Sequence, residues 1–216
     1  MNTIAYILAE FPSQTETFIL KEALYVNESI PLYIIALKKG KTPIDNDVQM
    51  AFESRIIYIP PWWSWKVLPI GSVFSYTVAE QSRSMTHNPL KTLVMAGLNR
   101  HPLSYLQIFR QLKVWLIASF VSKMIKKLKI QHMHAHFANY PTDVAMLVSH
   151  LSGIPFSFSA HAHDIYVNPT NLPSKIHKAT FVTTCTDYNK KHLAAIVPPV
   201  DQVKIHLVYH GVETVK

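Results

Sequence analysis

Ile4-Ala5-Tyr6-Ile7-Leu8, then Phe11-Pro12-Ser13-Gln14-Thr15-Glu16, then Ile19, Ala23 and Val26 ahead of Pro31 and the run 32–37, decide the fold. The first five residues are an apolar run of strand length. Ser13 followed three residues later by Glu16 has the pattern of a capping box, in which side-chain oxygens take the orphan N–H groups of a helix start. A helix is therefore expected from there to about residue 29, with Ile19, Ala23 and Val26 on one face. Pro31 disfavours helix in the residue before it and introduces a second apolar run, residues 32–37. Strand, helix, strand is a βαβ unit, whose two strands run parallel.

The alternation continues along the chain. Residues 56–59 read as a short strand, 60–102 are irregular in pattern, and 108–128 read as a helix. Strands are expected at 132–136, 155–159, 181–185 and 204–208, and helices at 141–152, 171–178 and 188–197, with Val144, Leu147, Val148 and Leu151 facing inward. Such alternation predicts an α/β fold: a Rossmann-like, mostly parallel sheet with helices on both faces. At 216 residues the chain suits one domain with a full core.

An apolar fraction of 49% and a charged fraction of 16%, without a polar low-complexity tract, exclude a disordered chain. Cys185 is the single cysteine, so no internal disulfide forms and a reducing compartment fits. Met1-Asn2-Thr3-Ile4-Ala5-Tyr6 has no basic segment ahead of the apolar run and reads as a strand, not a secretory signal. Both features point to the cytoplasm. The net charge is +8, concentrated in Lys38-Lys39-Gly40-Lys41 and in 110–129.

In the helical segment 108–129, Ile108, Leu112, Trp115, Leu116 and Phe120 recur near helical spacing, and Arg110, Lys113, Lys123, Lys126, Lys127 and Lys129 supply charge. Its apolar run, 114–121, is far below the roughly 20 residues that cross a bilayer. Two readings stand: a domain helix with a solvated basic face, or peripheral contact with anionic lipid at the inner face of the membrane. Trp62, Trp63 and Trp65 suit the headgroup region in the second reading and a hydrophobic core in the first. No nucleic-acid-binding motif accompanies the basic charge, so a nucleic-acid role is discounted.

In a parallel α/β sheet, ligands bind at the carboxyl ends of the strands, which selects the loops 9–15, 135–140, 159–166 and 186–189. Neither G-x-G-x-x-G nor G-x-x-x-x-G-K-[ST] occurs, and glycine is limited to five residues, so no dinucleotide or P-loop cofactor is expected. Two histidine-rich strand ends fall in the selected loops, His132-Met133-His134-Ala135-His136 and His161-Ala162-His163-Asp164. Residues two apart on a strand share a face, so each pair of imidazoles can meet at one point, as a metal-dependent hydrolase would need. The signatures H-E-x-x-H and H-x-H-x-D-H are absent, and the expectation is no metal, with His132, His134 and His163 hydrogen-bonding loops and helix termini. His161 and Asp164 start a loop at the ligand end of a strand and are read as substrate contacts, with His136, Asn139, His163 and Tyr166 as further candidates. Residues 11–16 can either cap the helix or hold phosphate oxygens at its N-terminus.

Four segments resemble the N-terminal domains of retaining GT-B glycosyltransferases of family 4, particularly those building colanic-acid-like and other bacterial exopolysaccharides. Phe11-Pro12-Ser13-Gln14-Thr15-Glu16-Thr17-Phe18-Ile19 is similar to the family's YPxxSETFI, and His134-Ala135-His136-Phe137-Ala138 to its HAHFA. Residues 153–166, from Gly153-Ile154-Pro155 to Asp164-Ile165-Tyr166, look like its GIPFSFTAHAxDIY. Ile205-His206-Leu207-Val208-Tyr209-His210-Gly211-Val212-Glu213 resembles its IHVIYNGVD, with His210 and Glu213 departing from Asn and Asp.

The resemblance implies two facing Rossmann-like domains with the active site between them. A nucleotide sugar, held mainly by the second domain, donates to a glycan or lipid-linked acceptor held mainly by the first, which residues 1–216 represent. His161 would hydrogen-bond the donor sugar, Asp164 would shape the acceptor site, and Ser13, Gln14 and Thr15 would approach the donor phosphates. Retention by front-side attack would let the leaving phosphate take the acceptor proton, with no protein general base. The family's donor-side glutamate pair, spaced E-x7-E, has no counterpart among the glutamates present, so the donor-binding domain is expected to be absent, and three explanations stand: a fragment, a split enzyme whose site a separate C-terminal chain completes, or a degenerate product that no longer catalyses. The alternatives from other classes are a non-catalytic acceptor- or partner-binding module and the metal-dependent hydrolase.

Overall fold

The computed structural model of the chain describes residues 2–13, 15–44, 46–60, 105–209 and 211, with the backbone alone for residues 53 and 105–112. In chain order its elements are β1 (Ile4–Leu8), α1 (Thr17–Ser29), β2 (Leu32–Ala36), α2 (Asn46–Phe52), β3 (Ile56–Tyr58), α3 (Tyr105–Lys127), β4 (His132–His136), α4 (Tyr140–Ser152), β5 (Phe156–Ala160), α5 (Leu172–Lys178), β6 (Val182–Thr184), α6 (Asp187–Ala195), α7 (Pro199–Gln202) and β7 (Ile205–Leu207). All seven strands pair in parallel, in the order β3-β2-β1-β4-β5-β6-β7. The expected parallel α/β sheet is what forms.

The two sheet faces follow from the period of two along each strand. Ala5, Ile7, Ile35, Met133, Ala135, Phe156, Phe158, Ala160, Val182 and Ile205 share one buried cluster with Val114, Ile117, Ala118, Val121 and Ile125 of α3, Val144 and Val148 of α4, Ile176 of α5 and Leu193 of α6. On the other face, Tyr6, Leu8, Leu32, Ile34 and Ala36 pack with Ile19 and Ala23 of α1 and Val48 and Phe52 of α2. Helices thus cover both faces. Where this second face continues past β1, its residues turn polar: Tyr6 is in register with His134, His134 with Ser157, and Ser159 with Thr183.

Two expectations are corrected. No capping box forms at Ser13: α1 begins at Thr17, its N-cap is Glu16, and no side chain caps it. The Ser13 hydroxyl lies 3.2 Å from that of Thr15 instead, and the Ser13 carbonyl accepts from Glu16 N. The inward stripe of α3 is also rotated. Val114, Ile117, Ala118, Val121 and Ile125 point into the core, while Trp115, Leu116 and Phe120 are half-buried on its flank. Residues 114–121 are apolar almost all round, so periodicity alone left the rotation undetermined. Lys126, Lys127 and Lys129 are exposed, as the basic face requires. Among the described residues no helix is long and apolar enough to cross a membrane. Trp62, Trp63, Trp65, Gln14, His210 and Glu213, and the side chains of Ile108, Arg110 and Leu112, lie outside what is described.

Helix α4 ends as the sequence Gly153-Ile154-Pro155 would have it: Gly153 takes φ 76°, and its N–H bonds Ser149 O at 2.8 Å, closing the helix before β5.

Candidate functional site

The strand order reverses between β1 and β4: from β1 the chain builds outward to β2 and β3, and from β4 to β5, β6 and β7. At such a switch point, neighbouring loops leave in opposite directions and open a crevice at the carboxyl ends of the strands. The loops after β1 and β4 flank that crevice, and the loop after β5 lies next to it.

The loop after β1 is anchored from the side. Phe11 is buried and forms a parallel bridge with Lys39, with Phe11 N bonded to Lys38 O at 3.2 Å and Gly40 N to Phe11 O at 2.8 Å. A Cβ on Gly40 would fall 1.9 Å from the Pro12 carbonyl oxygen, so only glycine fits there. The peptide between Phe11 and Pro12 is cis. This packing presents Ser13 and Thr15 at the rim, ahead of an α1 first turn that holds no acidic residue. The Lys38 ammonium pairs with Glu10 at 2.5 Å, and Lys39 lies over the Tyr58 ring at 5.7 Å.

His161 follows β5, half-buried, with its ring 5.3 Å from that of Phe18 in α1 and 4.9 Å from that of Phe137 just after β4. Three elements therefore meet at this imidazole. Phe137 has φ 72°, the left-handed region that a bulky residue enters only when its surroundings impose it. The surroundings are visible: Thr142 donates to Phe137 O at 2.7 Å, and the next residue is held on both sides. Ala138 N donates to Asp164 Oδ2, and Ala138 O accepts from Lys175 Nζ at 2.6 Å.

Asp164 is fully buried, and its other oxygen accepts from His161 N at 2.9 Å. Burial pushes its carboxyl pKa up; the backbone N–H groups of Ala138, Asp164 itself and His161, and then the charge of Lys175, oppose that rise. Asp164 thus commits both oxygens to backbone and ties the ends of β4 and β5 together. Asn139 is half-buried, and its carbonyl accepts from Asp143 N at 3.0 Å. His163 is exposed in the π-helical turn His163–Val167. Tyr166, in the same turn, donates to Asn189 Oδ1 at 3.0 Å, with its ring 5.9 Å from Tyr188 and 4.9 Å from His192. These three partners all belong to α6.

The remaining histidines join the polar half of the second sheet face. His134 is buried with Nδ1 2.7 Å from Ser157 Oγ and Nε2 2.8 Å from Ser159 Oγ, and His132 Nε2 lies 2.8 Å from Ser157 Oγ. Burial first, then the charges of His132 and His161, push the His134 pKa down to about 3; burial lowers that of His132. His136 is also buried, its ring 4.7 Å from Tyr6 and its Nε2 3.8 Å from Glu22 Oε1. Tyr6 donates to the same Glu22 oxygen at 2.7 Å; burial, with the Glu22 charge second, raises its pKa. The partners of His132 and His134 are therefore serine hydroxyls of β5, not loops or helix termini.

Among the described residues, Glu22, His134 and His136 have donor atoms within 4.8 Å of one another, as a metal ion would require. His134, however, already has a serine on each ring nitrogen, and Asp164 of the other histidine segment is committed to backbone. Both ring nitrogens of His134 and both oxygens of Asp164 are thus engaged within the protein.

Lys175 escaped the sequence reading. Its signal was spacing: Leu172, Lys175 and Ile176 share one side of a helical turn, and all three are buried.

No protein-family model matches the chain, and no curated protein sequence does. Solved structures do. A UDP-N-acetylglucosamine 2-epimerase aligns over 95% of this chain and 47% of its own, with a TM-score of 0.52 and 10% identity. The UDP-GlcNAc 2-epimerase from Neisseria meningitidis bound to UDP-GlcNAc aligns over 96% and 45%, with a TM-score of 0.51 and 11% identity. A glycosyltransferase from Rickettsia africae ESF-5 aligns over 98% and 43% at a TM-score of 0.49 and 14% identity, a likeness too slight to weigh. The chain spans a little under half the length of these structures. The fold defined is a Rossmann-like α/β domain with an all-parallel sheet. More particularly, it has the form of one half of a GT-B-like fold.

Proposed function

We propose that this chain is the acceptor-side domain of a retaining, family 4-type glycosyltransferase, moving a sugar from a nucleotide sugar to a saccharide or lipid-linked acceptor in cell-surface glycan synthesis. The observation that carries the reading is His161. It lies in the segment similar to the family's HAxD motif, its N–H is fixed by Asp164, and its ring meets Phe18 and Phe137 beside the switch point of the sheet. In this role the half-buried imidazole donates a hydrogen bond to the donor sugar. Ser13 and Thr15 approach the diphosphate from the rim of the loop after β1. Asp164 acts on the substrate through the backbone it holds. A second domain supplies the cationic groups that stabilise the departing diphosphate, and electrostatic stabilisation of this kind accounts for most of the rate in such chemistry. Contact of α3 with an anionic membrane fits the exposed Lys126, Lys127 and Lys129 and a lipid-linked acceptor.

The 2-epimerase neighbours favour a second reading, half of a nucleotide-sugar epimerase. Both are tested by incubating the chain with UDP-N-acetylglucosamine and other nucleotide sugars, with and without a separately expressed donor-side domain. Transfer to an acceptor in the mixture, lost in His161→Ala, supports the glycosyltransferase. A change of configuration at the sugar without transfer supports the epimerase. Absence of binding and turnover in every mixture leaves a non-catalytic module.

A further inference from the structure

Lys175 is a fully buried lysine that no step of the proposed chemistry uses. Its ammonium lies 2.7 Å from Asp143 Oδ1 in α4, 2.6 Å from Ala138 O and 2.9 Å from Thr170 Oγ1. A lysine has three N–H donors, and these three acceptors come from three different parts of the chain. The pair is not a surface ornament: a buried charge persists only when it is paired and hydrogen-bonded. The acceptor residue Ala138 also has its own N–H held by Asp164, and it follows Phe137, the residue in the left-handed region that touches His161.

We infer that Lys175 is a positioning residue of the site: through Ala138 it helps hold Phe137 in its left-handed conformation, and through Phe137 it fixes the imidazole of His161. This rests on the proposed role of His161 for its functional meaning, though the geometric part stands apart from it. A left-handed phenylalanine would relax if the residue after it were loosened. Asp164 grips the Phe137–Ala138 peptide by its N–H and Lys175 the Ala138–Asn139 peptide by its C=O, so Ala138 is held at both ends and one of the two holds is lost with Lys175.

The test replaces the ion pair by apolar residues in one step, Asp143→Leu with Lys175→Met, because removing a buried pair together is far better tolerated than stranding one charge. The readout is the set of carbon-bound imidazole protons of His161 by NMR, which the rings of Phe18 and Phe137 shift, recorded without ligand and assigned by comparison with His161→Gln. We expect a variant that is folded by circular dichroism, in which the ring-induced shift of His161 collapses while the resonances of His192 stay in place. Its affinity for UDP-N-acetylglucosamine should fall about tenfold or more, as misplacement of a binding group does. A folded variant with unchanged His161 shifts overturns the inference. Hydrogen exchange gives a second readout: the Ala138 amide should exchange only with global unfolding in the unsubstituted chain and through local opening in the double variant, and equal protection in both overturns the inference. Failure of the unsubstituted chain to bind the nucleotide sugar would count against the proposed function, not against the positioning role.

Discussion

The rings of Phe137 and His161 lie 4.9 Å apart, joining the ends of β4 and β5, and the backbone of Phe137 stands at φ 72° to bring them there. A contact built on an unfavourable conformation is kept by its neighbours, here Thr142, Asp164 and Lys175. His161→Ala should leave this backbone in place, because Asp164 holds the residue by its N–H and not by its ring. Nucleotide-sugar affinity, measured by calorimetry, should fall by about tenfold, the worth of one hydrogen bond of roughly 1.5 kcal/mol. Unchanged affinity would remove His161 from the list of contacts.

Asp164→Ala is expected to act on folding. It strands the buried N–H groups of Ala138 and His161, at about 1–3 kcal/mol each. Urea denaturation should show the loss, and Asp164→Asn, which keeps one acceptor oxygen, should show roughly half of it. Equal stability of all three proteins would mean that those amides find other partners.

Gly40→Ala tests the anchoring of the loop after β1. The added methyl carbon would meet Pro12 O at 1.9 Å, a backbone atom that cannot swing aside. A destabilisation of about 1–3 kcal/mol or more is expected from forced backbone movement. A thermal melt coinciding with that of the parent would show that the loop after β1 moves freely.

The acid limb of stability should report His134. Its pKa is depressed from 6.5 to about 3 in the folded chain, so the unfolded chain binds the proton first as pH falls. Stability from this group is complete above pH 6.5 and is lost as pH falls toward about 3, with a slope of up to about 1.4 kcal/mol per pH unit. His134→Gln, which can still bond Ser157 and Ser159, should reduce the slope by one proton across that window. An identical slope in denaturation series at several pH values would show that His134 is not the group titrating.

The α/β order and the sheet's parallel sense were legible because apolar runs of strand length alternate with helix-spaced residues, as in 4–37 and 132–160. Element ends differ by a residue or two where fraying decides them: the run 181–185 yields a strand at Val182–Thr184. The start of α1 was misread because a capping box needs a side chain to reach back to the helix, and Ser13 turns to Thr15. His161 and Asp164 could be placed at a strand end from the sequence, since loop position follows from strand order. Their different roles could not, because burial of a carboxylate depends on contacts such as those with Ala138 and Lys175, which are distant in the chain. The serine partners of His132 and His134 likewise needed the register of β4 against β5.

That register carries a meaning for assembly of the sheet. Strands buried on both faces seldom announce which neighbour they belong beside, since one apolar residue substitutes for another. The imidazoles of β4 and the hydroxyls of β5 act as a key in a lock: a slip of one residue would turn His134 onto the face held by Phe156 and Phe158, where β5 offers it no hydroxyl. The histidine pattern that invites thoughts of catalysis thus also proofreads the pairing of the two strands on which the site is built.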